Sequence, residues 1–242
     1  MIRMLPTLAL AAYNNLANLW PPFNRRAYVP VNLFATVALA WVALGPLGLA
    51  FDDVVGSIEI VDAFAGMAMG ALVAAPLFVG LRSPRWRARI ADERTAHLSG
   101  AALAYRCLVH VPLGTALLEE FAFRGVLFVA WDATESTLAA AILSSAVFGL
   151  WHIAPARNAF LLNHPASSMG AMLWWIALTV AATFVAGLIL IWLRVLGEGV
   201  LLPFALHATL NSLATLAGAR AHPPEHPRLA GPVDGGDTID AA

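Results

Sequence analysis

Charged residues are scarce in this chain, and lysine is absent altogether. Only 12% of the 242 residues are charged, the net charge is −1, and all 14 basic residues are arginine. Because no basic field covers the molecule, nucleic acid is not an expected partner. The single cysteine, Cys107, lies in an apolar stretch. One thiol excludes a disulfide framework within the chain and any metal site of the CxxC type.

Long hydrophobic runs are what the sequence has in abundance. The chain is 60% hydrophobic with a mean hydropathy of +0.74, whereas a soluble domain is nearer half apolar and a quarter charged. This composition predicts an all-α, polytopic transmembrane helical bundle. Crossing the hydrocarbon core of a bilayer takes about 20 apolar residues as a helix. The blocks that meet this length cover roughly 31–51, 60–81, 99–131, 137–155, 169–193 and 199–218.

The third block, 99–131, is longer than a bilayer requires. Its 33 residues would extend over about 50 Å as one helix, against about 30 Å of hydrocarbon. Pro112 and Gly114 lie inside the block and predict a kink or a break there. The sequence leaves open whether the block is one helix or two, so about six to eight membrane helices are expected.

The distribution of arginine predicts the orientation of the chain in the membrane. Arginines precede the first block and fill the loop 82–97 after the second, whereas the loop 51–59 carries acids and no arginine. By the positive-inside rule, the N-terminus and the 82–97 loop are expected in the cytoplasm. Asparagines interrupt the apolar N-terminal segment, which favours an interfacial amphipathic helix over a cleaved signal peptide. The arginines concerned are Arg3, Arg25, Arg26, Arg82, Arg85, Arg87, Arg89 and Arg94.

Three short motifs place polar side chains inside the later apolar blocks. Such side chains are costly in lipid, so they usually face a bundle interior or a wet cavity and mark function. The bundle is therefore expected to enclose a polar intramembrane cavity. The motifs are EEFAFR at Glu119–Arg124, FGLWH at Phe148–His152 and HATLN at His207–Asn211.

Helical geometry gives the two adjacent glutamates different surroundings. Arg124 lies one turn after Glu120 on the same face and can neutralise it as an internal ion pair. Glu119 is rotated from Glu120 by about 100° and needs a partner from another helix. A carboxylate beside a neutral histidine is a general-base arrangement, so Glu119 and His152 could hold and deprotonate a water molecule.

The remaining polar residues could stabilise the charge that such a reaction creates. His207 and Asn211 share a helix face and are both side-chain donors, which suits an oxyanion on a scissile carbonyl. Phe148 shares a face with His152 in the same way. Taken singly, each group is more often an ion pair or an interhelical hydrogen bond of structural use. The coincidence of three costly groups favours one shared site.

The three motifs, in this order, resemble the signature of the CAAX-prenyl-protease-like membrane proteins, the CPBP or Abi family of intramembrane proteases. The pattern EExxxR, FxxxH and HxxxN is matched over roughly residues 100–218. The resemblance implies an all-helical membrane endopeptidase in which Glu119 and His152 activate water. It implies that His207 and Asn211 form an oxyanion hole, and that neither a metal nor another cofactor is used. The implied supporting residues are Glu120, Arg124 and Phe148.

The expected domain organisation follows from the motifs and the composition. Residues 1–98 hold the interfacial helix, two transmembrane helices and the arginine-rich loop, and residues 99–220 form the catalytic transmembrane core. Residues 221–242 are rich in Pro, Gly and Asp and are expected to be a disordered tail. We expect a multi-pass plasma-membrane protein, bacterial by its arginine-only composition and compact size. The expected partners are the lipid bilayer and a membrane-associated or lipid-proximal peptide substrate.

Two alternatives remain open at the level of sequence. Glu119, His152 and His207 could supply three ligands to zinc in a metal-dependent version of the protease, although HExxH is absent. The only Gly-Asp pair, at 236–237, lies in the tail, which disfavours an aspartyl intramembrane protease. A non-catalytic immunity or scaffold protein of the same fold could use the polar cavity for binding alone.

Overall fold

The structure is a computed structural model that describes residues 4–19 and 27–222. This part of the chain contains ten helices and no strand. Five helical stretches, one of them made of two consecutive helices, are long and apolar enough to cross a membrane. Tyr28–Leu44 is a shorter apolar helix. The helices are α1 Met4–Asn18, α2 Tyr28–Leu44, α3 Phe51–Val55, α4 Ile60–Gly80, α5 Pro84–Ile90, α6 Gly100–Asp132, α7 Thr137–Trp151, α8 Ile153–Asn163, α9 Met169–Leu196 and α10 Leu201–Ala221.

This architecture confirms the predicted all-α polytopic bundle and adjusts the bounds of its spans. The first predicted span ends at Leu44 rather than near residue 51, and a short helix, α3, follows it. The fourth continues as α8 to Asn163 after a change of backbone conformation at His152. Arg3, Arg25, Arg26 and most of the predicted tail lie outside the described residues.

Helix α6 is not broken at Pro112 and Gly114. The helix stays continuous over Gly100–Asp132 and widens into π-helical turns at Arg106–Ala116 and Phe121–Leu127. Proline has no N–H to continue the ordinary hydrogen-bond ladder, and a widened turn absorbs that loss without a break. Asn32 on α2 donates a hydrogen bond to the Gly114 carbonyl oxygen at 2.6 Å, which satisfies a backbone group that lipid cannot.

Helices α4 and α10 pack at very close range. A methyl group built on Gly66 would lie 2.5 Å from the carbonyl oxygen of Leu202, and one on Gly70 would lie 2.6 Å from that of Leu206. The GxxxG spacing therefore lets the two backbones touch, as small residues do between membrane helices. This contact fixes α10, the helix that carries the HATLN motif.

The first helix packs lengthwise against α7 and α8. Leu10 joins the buried cluster that contains Phe123, Phe148 and Trp151. Asn14 donates a hydrogen bond from its amide to the Trp151 carbonyl oxygen at 2.9 Å. Helix α1 thus braces the end of α7 from which the FGLWH motif projects, while its predicted interfacial position in the bilayer stays a prediction.

Candidate active site

The two glutamates lie in a single α-helical turn, Leu117–Glu120, between the two π-helical segments of α6. Helix turns of the π type occur frequently at functional sites. Both carboxylates are directed into the bundle, since Glu119 is only 6% exposed and Glu120 is 1% exposed. Two acids of this kind persist in a low-dielectric interior only with partners, so their contacts identify the site.

Glu120 is held by two cationic or potentially cationic groups. Nη1 of Arg124 donates to Glu120 Oε1 at 3.0 Å, and the guanidinium is completely buried. Nδ1 of His207 on α10 lies 2.6 Å from the same oxygen. The Arg124 guanidinium also stacks over the Phe148 ring at 4.1 Å, a favourable cation–π arrangement. The expected Glu120–Arg124 ion pair is therefore present. His207 of the HATLN motif contacts the same carboxylate.

Glu119 meets residues from two other helices. The Trp151 indole N–H donates to Glu119 Oε1 at 3.0 Å. The other oxygen, Oε2, lies 3.8 Å from His207 Nε2 and has no hydrogen-bond partner in the described part of the chain. His207 consequently sits between the two carboxylates, with one ring nitrogen directed at each. One oxygen of Glu119 is fixed by a hydrogen bond, and the other makes none to the described residues.

His152 is oriented by the motif that precedes it. It follows the last residue of α7, where the backbone leaves the helical conformation at φ −93° and ψ 3°. Its Nδ1 lies 2.7 Å from the Phe148 carbonyl oxygen, and because that oxygen only accepts, Nδ1 carries the proton. The neutral imidazole then keeps a lone pair on Nε2. The Phe148 ring packs edge-on against His152, with centroids 4.7 Å apart.

A cavity of about 720 Å³ opens onto these groups. Glu119, His152 and Asn211 all line it, whereas Glu120, Arg124 and His207 are not among its lining residues. The side-chain amide of Asn211 makes no hydrogen bond to the described residues, so it is available to a bound molecule. The structure thus brings all three predicted motifs to one place and separates a cavity-facing set from a supporting set behind it.

Several residues of this site were not singled out from the sequence. Trp151 looks like an ordinary apolar residue in a membrane helix, and only its position beside His152 hints at a role. The asparagines of α1 read as interruptions of an apolar helix, although polar residues on a membrane helix are themselves a functional signal. The further polar lining residues include Asn14, Asn18, Tyr28, Arg106, His110 and Thr115, together with Arg89, Asp92, Arg94, Thr95, Asn158 and Thr215.

Within residues 4–19 and 27–222, no group of three or more His, Cys, Asp or Glu residues could hold a metal ion. Both ring nitrogens of His207 are directed at carboxylates of the site. The side chains as placed therefore form hydrogen bonds and ion pairs with one another rather than converging on one empty point.

Comparison with known proteins agrees with the motifs. A family model described as Type II CAAX prenyl endopeptidase Rce1-like matches residues 101–213. All the predicted site residues, from Glu119 to Asn211, lie within this match. No curated protein and no solved structure matches the chain. From helices long enough to cross a bilayer and from this match, the chain is a multi-pass membrane protein whose residues 101–213 are similar to the Rce1-like type II CAAX prenyl endopeptidases.

Proposed function

We propose that the protein hydrolyses a peptide bond of a membrane-associated substrate with a water molecule activated by Glu119 and His152. The observation that carries this proposal is that both side chains line one cavity, each with one atom fixed from behind and one that makes no hydrogen bond to the described residues. Trp151 holds Oε1 of Glu119, and the Phe148 carbonyl holds Nδ1 of His152. A general base needs such a fixed position and an unengaged atom within reach of the proton that it takes.

The proposed reaction adds water across the scissile C–N bond. Oε2 of Glu119 takes a proton from the water, whose oxygen is oriented by Nε2 of His152 and attacks the carbonyl carbon. The C–N bond then breaks, and the proton held by Glu119 passes to the departing nitrogen. The products are a carboxyl group and an amine. No covalent bond to the enzyme forms, and no cofactor is required.

The negative charge that develops on the carbonyl oxygen needs donors in place beforehand. Asn211 lines the cavity with its amide unengaged by the described residues and can supply one N–H. His207 offers N–H groups from both ring nitrogens in its imidazolium form. In that form the Nδ1 N–H donates to Glu120. Nε2 lies 3.8 Å from Glu119 Oε2, beside the position proposed for the oxyanion. Glu120 and Arg124 position this histidine.

The test is turnover of internally quenched apolar peptides by the purified protein in liposomes. We expect Glu119→Gln and His152→Ala each to lower kcat by about 10²- to 10⁴-fold, the usual contribution of a general base. Glu135→Gln and His97→Ala alter exposed residues outside the cavity and should retain full activity. Retention of full activity by both site variants would refute the proposal.

The same preparation separates the two alternatives. A zinc-dependent protease would lose activity in a strong chelator and regain it with added zinc, whereas the proposed reaction is unaffected by chelation. A non-catalytic immunity or scaffold protein would complement a deletion strain equally well as wild type and as Glu119→Gln. We expect the Glu119→Gln variant, expressed at the wild-type level, to fail in that complementation.

A further inference from the structure

The cavity extends along α6 well beyond the proposed catalytic residues. Arg106, thirteen positions before Glu119, lines the same cavity. It lies in the first π-helical segment of α6, about 9 Å along the helix from Gly100 at 1.5 Å per residue. Tyr28 of α2 and His110 lie with it in the wall. A cation in the wall of the cavity that also holds the reacting groups calls for a physical explanation.

The side chain of Arg106 extends away from the nearer end of its helix. Helical side chains lean toward the N-terminus, and arginines near a membrane surface usually extend to the headgroups. Arg106 instead places Nη1 2.7 Å from Nε2 of His110, one turn deeper. The ring of His110 is fixed in turn by stacking on Tyr28 with centroids 4.5 Å apart. The guanidinium is therefore held inside the cavity.

No carboxylate among the described residues forms an ion pair with this guanidinium. An arginine nitrogen only donates, so Nε2 of His110 accepts and the imidazole is neutral. Asp92, the acid nearby in the wall, is engaged by Arg94 at 2.6 Å. Partial burial would raise the pKa of the Asp92 carboxyl group, but the hydrogen bonds and charge of Arg94 outweigh it and lower that pKa. Asp92 is thus an ionised partner already committed to Arg94.

We propose that Arg106 forms an anion-binding subsite for an acidic group of the peptide substrate, either a side-chain carboxylate or a terminal one. This inference rests on the proposed function, since it gives the substrate of that site a charge. Thirteen helical residues span at most about 20 Å, and an extended peptide covers about 3.3–3.6 Å per residue. The acidic group would accordingly lie within about six residues of the scissile bond.

The experiment measures binding rather than turnover. The protein carries Glu119→Gln throughout, is placed in nanodiscs of zwitterionic lipid, and is titrated with apolar octapeptides bearing a neutral BODIPY dye. Paired peptides end in a carboxylate or in an amide, or carry Glu or Gln at one internal position. We expect tighter binding of the acidic member of a pair, and Arg106→Gln should weaken it about tenfold or more, since charge-assisted contacts are strong.

Matched variants make the result specific. The neutral peptides should bind Arg106→Gln as they bind the parent, and Arg106→Lys should keep the preference for the acidic peptide. Arg157→Gln is the control, because Arg157 is exposed and does not line the cavity. If Arg106→Gln is unstable, Arg106→Lys still decides, because loss of the acidic preference with the charge retained would overturn the proposal.

Three results would overturn the inference while leaving the proposed reaction intact. These are the absence of any acidic preference in the parent, an equal loss for acidic and neutral peptides in Arg106→Gln, and an Arg106 effect that appears only with anionic phosphatidylglycerol. The last result would identify a lipid headgroup as the ligand. Failure of the catalytic proposal shows separately, as undiminished peptide cleavage by the Glu119→Gln protein.

Discussion

At the scale of single residues, Trp151 connects two of the three motifs. Its indole N–H donates to Glu119, its carbonyl oxygen accepts from Asn14, and its ring packs edge-on against Phe123 at 5.2 Å. A tryptophan is rigid, so it positions its N–H at little entropic cost. The contact holds one Glu119 oxygen and leaves the other unengaged, as the proposed general base requires. Trp151 is therefore a positioning residue in the proposed reaction.

We predict that removing this N–H lowers kcat and leaves KM nearly unchanged. Hydrogen bonds to charged groups contribute about 1.5–3 kcal/mol, so kcat should fall about tenfold to a hundredfold. Trp151→Phe tests this, and replacement by β-(3-benzothienyl)alanine removes the N–H while keeping the ring size. Thermal unfolding should show the isosteric variant to be as stable as wild type, which separates positioning from packing.

The chain offers a matched control for this prediction. Trp131 also donates from its indole, to Thr7 Oγ1 at 3.3 Å, but it does not line the cavity. Trp131→Phe should leave kcat unchanged. An unchanged kcat in the benzothienylalanine protein, together with an inactive Glu119→Gln protein, would show that Trp151 only fills space.

Local geometry and tertiary geometry differ in how far the sequence specifies them. The Glu120–Arg124 contact follows from a spacing of one helical turn and is predictable from the sequence alone. That His207 lies between both glutamates depends on how α10 is placed against α6, which no local pattern encodes. The Trp151 contact was missed for a related reason, since its role depends on a single N–H in an otherwise apolar residue.

At the scale of helices, the GxxxG contact between α4 and α10 determines where the HATLN motif sits. Residues Gly66 and Gly70 face backbone carbonyls of α10 that precede and adjoin His207. Backbone cannot move aside as a flexible side chain can, so any larger residue pushes the helices apart. A shift of α10 would move His207 from Glu120 and Asn211 from the cavity together.

We predict that Gly70→Leu destabilises the protein by about 1–3 kcal/mol or more, the usual cost of overpacking, and abolishes most activity. Unfolding in mixed detergent micelles measures the first effect and peptide cleavage the second. Gly170→Leu is the matched control on α9, because its nearest neighbour would be Ser168 Oγ at 3.9 Å. Equal stability of the two variants would contradict the assigned contact.

The sequence predicts the helices better than it predicts their internal form. Apolar runs located all the spans because a bilayer demands about 20 apolar residues. The π-helical turns of α6 were not predictable, since Pro112 and Gly114 are equally compatible with a break. The outcome depended on Asn32 of α2, whose side chain satisfies the Gly114 carbonyl oxygen and which is remote in sequence.

At the scale of the whole molecule, the connecting loops form two separate groups. Gly56 and Gly199 form an isolated bridge between the loops after α3 and α9, supported by the Ser57 N–H donating to the Glu198 carbonyl oxygen at 2.9 Å. At the other end, the Glu93 N–H donates to Asn163 Oδ1 at 3.0 Å. These contacts agree with spans that alternate in direction, which places the arginine-rich loop opposite the bridge.

The arginine content of the two ends predicts which of them faces the cytoplasm. Arginine fills the loop at the Glu93 end, so the positive-inside rule places that end in the cytoplasm and Glu59, in the arginine-free loop, outside. Single cysteines at Glu93 and Glu59, both exposed, are introduced in a Cys107→Ser background. In spheroplasts, a membrane-impermeant maleimide should label Glu59→Cys at once and Glu93→Cys only after permeabilisation.

The pattern of labelling distinguishes a wrong orientation from a wrong arrangement of the spans. Labelling in the reverse order would show that the molecule has the opposite orientation, with the Arg106 end of the cavity outside. A substrate would then have to enter the cavity from the outer face. Labelling of both positions in intact spheroplasts would contradict the alternation of spans itself. Because the Arg106 end opens beside the arginine-rich loop, the predicted order implies that acidic peptides reach the cavity from the cytoplasm.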